Sequence, residues 1–330
     1  MLTPRQNLLE TIRGGNPDRF VNQFEAFQML MLNPYTTATP PFPEPGGPEL
    51  LTPWGVSTIW PLGNGGAFPI HSPEKTVCKD ITQWSKYVKA PVVPDAEEIW
   101  APFAEMAAGV DRNEFFATHM VAPGMFEQMH FLQGMEECLV NFYEEPECTH
   151  ELLEYIAEWE LGYAELVCKY MKPDALFHHD DWGTQISTFL SPDMFREFLL
   201  PVYKKVYGYY KSHGVEVIVH HSDSYGATLV PYMIEMGIDI WQGPVSTNNL
   251  PELIKQYGGQ ISFMGGIDSS VVDCPDWTPE KVAAEVRKAC ESCGTKYFIP
   301  NTTQGLFFST FEGVYDTVTE EIDKMSKEMF

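Results

Sequence analysis

Positive charge is scarce in this sequence, which has 21 Lys and Arg against 46 Asp and Glu and a net charge of −25 at pH 7. Nucleic acids and anionic membrane surfaces carry negative charge and would repel such a chain, so we exclude both as partners. The stretch from Phe20 to Glu74 contains no Lys or Arg at all. Any ligand bound by that stretch is therefore not expected to be strongly anionic.

Long apolar runs and paired cysteines are also lacking. No apolar run approaches the roughly 20 residues of a membrane span, and the segment MLTPRQNLLETIRGG has no signal-peptide pattern. The seven cysteines are scattered and odd in number, which is not the pattern of a disulfide framework. We therefore expect a protein of the reducing cytoplasm, without membrane association.

Several familiar catalytic motifs are missing as well. The sequence contains no G-x-S-x-G, no P-loop and no H-E-x-x-H. Cys290 and Cys293 have the spacing of a metal or redox half-site, but no second such pair completes it, so we interpret them as thiols at a helix end. The methionine-rich segment GMFEQMHF is interpreted as adaptable core.

What the sequence does contain is a regular alternation of helices and strands. The segment PRQNLLETI, capped by Thr3 and followed by Gly14, predicts a first helix. RFVNQFEAF then predicts a first buried strand that ends near Glu25. Beyond residue 96, amphipathic helices alternate with short apolar runs: EFFATHMVAPG, DALFHHDDWG, VEVIVHHSDS, GIDIWQGPV, QISFMGGID and KYFIPNTTQ.

Strands that alternate with helices pair in parallel, and this pattern predicts an α/β fold. Together with the strand near residue 22, these six runs give seven strands, which is close to a (β/α)₈ TIM barrel. The eighth strand cannot be placed in the sequence. We expect residues 1–330 to form a single, distorted barrel domain with a long N-terminal insertion at about 33–95. That insertion is rich in Pro and Gly and includes a predicted hairpin around VSTIWPLGNGGAFPI.

Polar residues follow the apolar runs, at the ends of the predicted strands where a barrel carries its chemistry. These candidate rim residues are Glu25, His119, His178, His179, Asp180, Asp181, His220, His221, Ser222, Asp223, Gln242, Asp268, Asn301, Thr302 and Thr303. Residues two apart on a strand share a face. His221 therefore lies on the same face as Asp223, and His179 on the same face as Asp181.

A His-x-Asp pair has three interpretations. It can bind a divalent cation through nitrogen and oxygen, it can be an acid/base pair, or it can be a satisfied polar cluster at a strand end. Two consecutive strands that each carry such a pair favour a shared functional site, because buried carboxylates are costly unless they are paired or ligated.

Together these segments resemble the uroporphyrinogen decarboxylase superfamily. The resemblance covers almost the whole chain and includes PRQNLLETIRGGNPDRFV, APGMFEQMHFLQGMEECLVNFYEEPE, HHDDWGTQISTFLSPDMF, VIVHHSDSYGA, FMGGID and STFEGVYDTVTEEI. It implies a distorted TIM barrel with a cleft at the strand carboxyl ends. It also implies one of two activities: decarboxylation of uroporphyrinogen without a cofactor, or methyl transfer to or from a corrinoid protein, usually with zinc.

The base-free stretch decides between these activities. A polycarboxylate porphyrinogen needs basic residues, and the arginine-rich segment of the decarboxylases is absent here. In the thiol-specific methyltransferases of the superfamily a His-x-Cys pair and a later Cys bind zinc. Here Asp223 stands where the first cysteine would be, and Thr302 or Thr303 stands near the second. A site of nitrogen and oxygen donors is a harder Lewis acid, which suits an oxygen leaving group.

The sequence therefore predicts an enzyme that moves a methyl group from an O-methylated small molecule, aromatic ones included, to the Co(I) centre of a partner corrinoid protein. His221 and Asp223 are expected to bind a metal, zinc being the expected ion, or to protonate the leaving group. The other predicted catalytic residues are His179, Asp181 and Glu25, and the predicted substrate-binding residues are Trp54, Trp60, Phe68, Tyr225 and Gln242, with Phe42 as a further aromatic.

Three alternatives remain open at this point. The chain can be a cofactor-free decarboxylase of a small or cyclic acid, with His221 and Asp223 as the protonating pair. It can be a corrinoid/thiol methyltransferase with a metal site that lacks thiolates. It can also be a non-enzymatic partner of a corrinoid protein, although ionisable groups concentrated at strand ends argue against that.

Overall fold

The computed structural model describes residues 1–38 and 43–330. Helix α1 spans Pro4–Ile12, as predicted. The Thr3 hydroxyl accepts a hydrogen bond from the Gln6 backbone N–H, and the Gln6 side chain accepts one from the Thr3 N–H at 3.1 Å. This reciprocal cap satisfies two amides that a helix start leaves free. Gly14, with a φ of 67°, follows the helix in the left-handed conformation that ends many helices.

The first strand starts later than predicted. Strand β1 spans Phe27–Leu30, whereas the apolar residues before it form turns, in which the Glu25 N–H bonds the Asn22 carbonyl at 3.0 Å. The prediction that Glu25 lies at the carboxyl end of this strand is wrong. Its side chain lies before the strand, accepts the Asn22 N–H at 3.1 Å and is 3.6 Å from Arg19.

The insertion folds as a small antiparallel sheet. It contains β2 (Leu50–Leu51), β3 (Ser57–Ile59) and β4 (Phe68–Pro69), in the order β2-β3-β4. The pairing of β3 with β4 confirms the predicted hairpin. Phe42 lies outside the described residues, so its predicted role as a site aromatic has no structural counterpart here.

Seven parallel strands form the main sheet, in the order of the chain. After β1 they are β5 (Phe116–Val121), β6 (Ala175–His179), β7 (Val217–His221), β8 (Ile240–Gln242), β9 (Ser262–Ile267) and β10 (Phe298–Thr302). Every segment predicted as a strand beyond residue 96 contains one of them. The predicted alternation of strands and helices is therefore confirmed.

The remaining helices connect and cover these strands. They are α2 (Pro34–Ala38), α3 (Trp84–Tyr87), α4 (Glu97–Ala108), α5 (Met125–Gln133), α6 (Met135–Glu144), α7 (Pro146–Tyr170), α8 (Pro192–Met194), α9 (Leu200–Ser212), α10 (Val230–Met236), α11 (Leu250–Tyr257), α12 (Ser269–Val272), α13 (Pro279–Cys293) and α14 (Val314–Met329). A π-helical turn, Phe195–Leu199, joins α8 to α9. Among the described residues, no helix combines the length and apolar character needed to cross a membrane.

The sheet separates two apolar cores. Its concave face buries a small interior cluster that includes Phe177, Val219 and Met264, while the larger core lies between the sheet and the helices. Strands β1 and β10 form no ladder with each other among the described residues. Phe24 packs edge-on against Phe307 at 6.0 Å and belongs to the interior cluster. The fold is thus a distorted TIM barrel, as predicted, and among the described residues its main sheet has seven strands rather than the eight of a (β/α)₈ barrel.

Candidate metal centre

The two His–His doublets of the sequence lie side by side on β6 and β7. The parallel register pairs His178 with His220, and His179 with His221. The His179 and His221 rings stack with their centroids 4.2 Å apart, and His221 lies 6.1 Å from Phe177 of the interior cluster. The predicted division of each doublet between the two faces of the sheet is confirmed.

Three side chains form a group of potential metal ligands on the interior face. The donor atoms of His179, Asp181 and His221 all lie within 4.8 Å of one another, and His221 Nε2 is 3.8 Å from Asp181 Oδ1. Two imidazoles and a carboxylate suit zinc, and three protein ligands leave room for a further ligand, as in catalytic zinc sites. His179 and Asp181 are also partly accessible to solvent.

The hydrogen bonds of the two imidazoles fit this role. His179 Nδ1 bonds Glu127 Oε2 at 2.9 Å, and His221 Nδ1 bonds Gln242 Oε1. An oxygen partner requires the nitrogen to donate, so Nδ1 carries the proton in both rings and Nε2 of a neutral ring keeps its lone pair. Metal-binding histidines in proteins are oriented by such oxygen partners. The residues present therefore fit a zinc ion bound by His179, Asp181 and His221.

The electrostatics of the group favour a cation. Burial lowers the pKa of His179, but the Glu127, Asp181 and Asp223 carboxylates outweigh it and raise that pKa to about 10. Burial and the adjacent His179 lower the pKa of His221 to about 4. Negative charge is thus concentrated around His179, where either a proton or a metal ion can balance it.

Asp223, which the sequence predicts as a metal ligand beside His221, contacts the ligand group through its backbone. Its backbone N–H donates to Asp181 Oδ1 at 2.9 Å, which orients the Asp181 carboxylate. Its own carboxylate accepts from the Gly305 N–H and does not belong to the ligand group. Burial and the Asp181 carboxylate raise the pKa of Asp223 well above its ordinary value. The structure therefore groups His179 and Asp181 with His221 as potential ligands, and a ligand role for Asp223 stays a prediction.

The outward-facing members of the two strand ends have structural partners. Asp180 accepts the backbone N–H groups of Phe126 and Glu127, each at 2.9 Å, and so caps the start of α5. His220 bonds the Tyr207 hydroxyl at 2.8 Å and stacks on Trp182 at 3.7 Å. The Asp180 cap places Glu127 next to the interior site.

Replacing Gly124 with alanine is expected to destabilise this corner of the protein. The new Cβ would lie 2.5–2.6 Å from the Asp180 side chain, which would displace the carboxylate from the start of α5. We expect the free energy of unfolding to fall by about 1–3 kcal/mol, measured by urea denaturation. The control is Gly208→Ala in α9, where a Cβ meets nothing within 4 Å. Equal unfolding midpoints for the Gly124 variant and the unchanged protein would contradict the prediction.

Of the predicted substrate-binding residues, Gln242 contacts the ligand group, whereas Tyr225 and Trp60 bond to residues of loops. Gln242 is part of the site, as the partner of His221. Tyr225 lies in the loop after β7, and its N–H bonds the Thr184 carbonyl at 2.7 Å. Trp60 donates to the Asn64 carbonyl at 2.8 Å within its own turn.

Two further predicted aromatics, Phe68 and Trp54, and two predicted rim residues, His119 and Asn301, lie outside the ligand group. Phe68 is 51% exposed, and Trp54 packs against Trp159 at 5.2 Å on the helix side of the sheet. A substrate-binding role for Phe68 or Trp54 stays a prediction. His119 faces the helices at 5.3 Å from Tyr163. Asn301 is fully buried, and both of its amide atoms lack partners among the described residues.

Sequence reasoning missed Glu127. It lies in the methionine-rich segment interpreted as core, and most of α5 is indeed buried. A glutamate within an apolar helix directly after the β5 strand end was the available signal, because a buried carboxylate needs a partner.

Fold and site together define a class of protein: a parallel α/β barrel with two histidines and an aspartate grouped at the carboxyl ends of its strands. The family model described as Uroporphyrinogen decarboxylase (URO-D) matches residues 122–325. The chain therefore belongs to the uroporphyrinogen decarboxylase family. No curated protein sequence matches the chain.

Solved structures share the fold. A methyltransferase from Methanosarcina mazei has 13% sequence identity to this chain and a TM-score of 0.65. The superposition covers 98% of this chain and 99% of the methyltransferase. A B12-independent methionine synthase from Shewanella sp. W3-18-1 is 16% identical, with 68% of this chain and 66% of its own covered and a TM-score of 0.44. At these identities the similarity concerns the fold.

Proposed function

We propose that this chain is the substrate-side methyltransferase of a corrinoid-dependent system. It moves a methyl group from an O-methylated compound to the Co(I) centre of a partner corrinoid protein. The observation that carries the proposal is the group of His179, Asp181 and His221, which contains two imidazoles and a carboxylate but no thiolate. The fold shared with the methyltransferase from Methanosarcina mazei supports it.

Zinc bound by these three residues would supply a Lewis acid that stabilises negative charge on an oxygen of the methyl donor. Glu127 and Gln242 hold the two imidazoles in place through Nδ1. The Asp223 N–H holds Asp181 Oδ1. The ligand atoms are thus oriented by neighbouring residues, which reduces the rearrangement required during reaction.

Asp223 is suited to protonate the departing oxygen. Its backbone N–H bonds the proposed ligand Asp181 at 2.9 Å, so the residue lies beside the metal centre, and in the metal-free protein burial and the Asp181 carboxylate raise its pKa. In the transfer the carbon–oxygen bond breaks with both electrons remaining on oxygen, and the oxygen takes the Asp223 proton. Co(I) supplies the two electrons of the new bond to the methyl carbon. A general acid of this kind avoids release of an unprotonated alkoxide or phenoxide.

Decarboxylation of a polycarboxylate porphyrinogen finds less support. The charges that most strongly shift the pKa values of His179 and Asp223 are carboxylates and imidazoles, with no Lys or Arg among them. Such a site would repel a substrate with many carboxylates. The base-free stretch from Phe20 to Glu74 adds no compensating positive charge.

The test is to incubate the purified, zinc-loaded chain with a Co(I) corrinoid protein and a panel of methoxyarenes and smaller methyl ethers. We expect the absorbance of methyl-cobalamin to appear with at least one donor. Glu25→Gln is the matched control, because Glu25 lies at the opposite end of β1 and its loss should leave the rate unchanged. If no donor methylates a corrinoid protein that another methyltransferase can methylate, the proposal fails.

A further inference from the structure

A cavity lies on the helix-facing side of the sheet, opposite the face that carries the proposed metal centre. It has a volume of about 40 Å³ and lies beside the end of β5, between α5 and α7. We call it the aromatic cavity and define it by Tyr35, Trp54, Gln128, Trp159, Glu160 and Tyr163. Nothing in the proposed methyl transfer uses it.

The rings of the aromatic cavity are held in place by one another. Trp159 stacks on Tyr163 with centroids 5.6 Å apart, and it also contacts Tyr35 at 5.1 Å and Trp54 at 5.2 Å. The Asn33 side-chain N–H donates to the Tyr163 hydroxyl at 2.7 Å. The walls are thus pre-organised, which lowers the entropic cost of binding a ligand there.

Glu160 brings a buried carboxylate to this apolar cavity. The residue is 2% exposed, and its Oε1 accepts from His178 Nε2 at 2.8 Å. In the part of the chain that the structure describes, no Lys or Arg pairs with it, and His178 Nδ1 has no partner. His178 is thus the side chain that the structure places against this carboxylate, and a carboxylate buried among apolar and aromatic walls is stabilised by any further cation that enters the cavity.

We propose that the aromatic cavity binds a small alkylated ammonium ion such as choline. Tyr and Trp faces attract cations of low charge density, and Glu160 supplies the opposite charge. One water needs about 10–15 Å³ of such space, so the cavity accommodates a group of a few heavy atoms, as in a trimethylammonium head.

The apolar walls decide between this ligand and a bare metal ion. Val121 and Ile156 also line the cavity, and neither can replace the water of a strongly hydrated ion. An alkylated ammonium carries its charge beneath methyl groups and loses less hydration on entry. Gln128 is buried with an unpartnered Nε2 among the described residues, which favours a ligand that also has an oxygen acceptor, as choline does.

The aromatic cavity shares no side chain with the proposed metal ligands. Glu160 bonds His178, which faces the helices, whereas the neighbouring His179 faces the barrel interior. The two sites therefore lie on opposite faces of β6. Choline binding should leave the zinc content unchanged, and loss of zinc should leave choline binding unchanged.

The first experiment compares choline with 3,3-dimethyl-1-butanol, an uncharged molecule of the same shape, by titration of the full chain and calorimetry. Tryptophan fluorescence provides a second readout, because Trp54 and Trp159 line the cavity. We expect saturable choline binding, and binding of the neutral analogue that is at least about tenfold weaker. Equal affinities, or no saturable choline binding, would overturn the proposal.

Variants then locate the ligand. Glu160→Gln keeps an oxygen acceptor for His178 but removes the charge, and it should weaken choline binding at least about tenfold. Glu165→Gln, an exposed position on the same helix, is the matched control. Trp159→Leu should weaken binding as well and decides the matter if Glu160→Gln does not fold. Unchanged choline affinity in a folded variant of either residue would place the ligand elsewhere.

Discussion

Replacing His221 with alanine is expected to weaken zinc binding at least about a hundredfold. The ring supplies one of three donor atoms that lie within 4.8 Å of one another. Its loss leaves two ligands and also frees Gln242 from its partner. The measurement is a competition titration with a zinc chelator, supported by elemental analysis after dialysis.

Surface histidines also bind zinc weakly, so the experiment needs a histidine control. His213 lies at the end of α9, exposed, and its Nδ1 lies 2.8 Å from the Tyr209 carbonyl. His213→Ala should keep the affinity of the unchanged protein. If His221→Ala retains tight zinc, or if both variants lose it equally, the proposed centre is wrong.

Replacing Asp223 with asparagine is expected to lower the rate of methyl transfer by about 10²–10⁴-fold. Asparagine preserves the size of the side chain and its acceptor for the Gly305 N–H, but it has no acidic proton. The Asp223 backbone N–H still holds Asp181, so the zinc affinity should stay unchanged. The rate is followed as methyl-cobalamin absorbance under single-turnover conditions.

Zinc content separates the possible roles of Asp223. Loss of zinc together with activity would show that Asp223 is a ligand, as the sequence predicts, and that the group of His179, Asp181 and His221 is incomplete. Asp268→Asn is the matched control at the end of β9, where asparagine can still cap α12. A full rate for Asp223→Asn would remove Asp223 from the reaction.

Much of the barrel was predictable because its strands are buried on both faces. Apolar runs such as VIV at 217–219 and ALF at 175–177 favour a position in the core, and the helices between them favour parallel pairing. The side-chain period of two on a strand then separates His221 from His220 without any knowledge of tertiary contacts. The family resemblance rests on the same segments.

The first strand shows the limit of this reasoning. Apolar residues from Phe20 to Ala26 are buried as expected, but they form turns rather than a strand. Gln23 has a φ of 52° there. Burial of an apolar segment does not by itself specify an extended backbone. The position of Glu25 was consequently assigned to the wrong end of β1.

By itself, the sequence determined the strand–helix alternation, the division of the histidine doublets between two faces and the lack of Lys and Arg from Phe20 to Glu74. These follow from local periodicity and composition. Only the tertiary structure decided which donors meet: Glu127 reaches His179 across 52 positions of the chain, and Asp223 orients Asp181 through a backbone N–H. Such contacts depend on strand register and helix placement, which residues distant in sequence set together through packing.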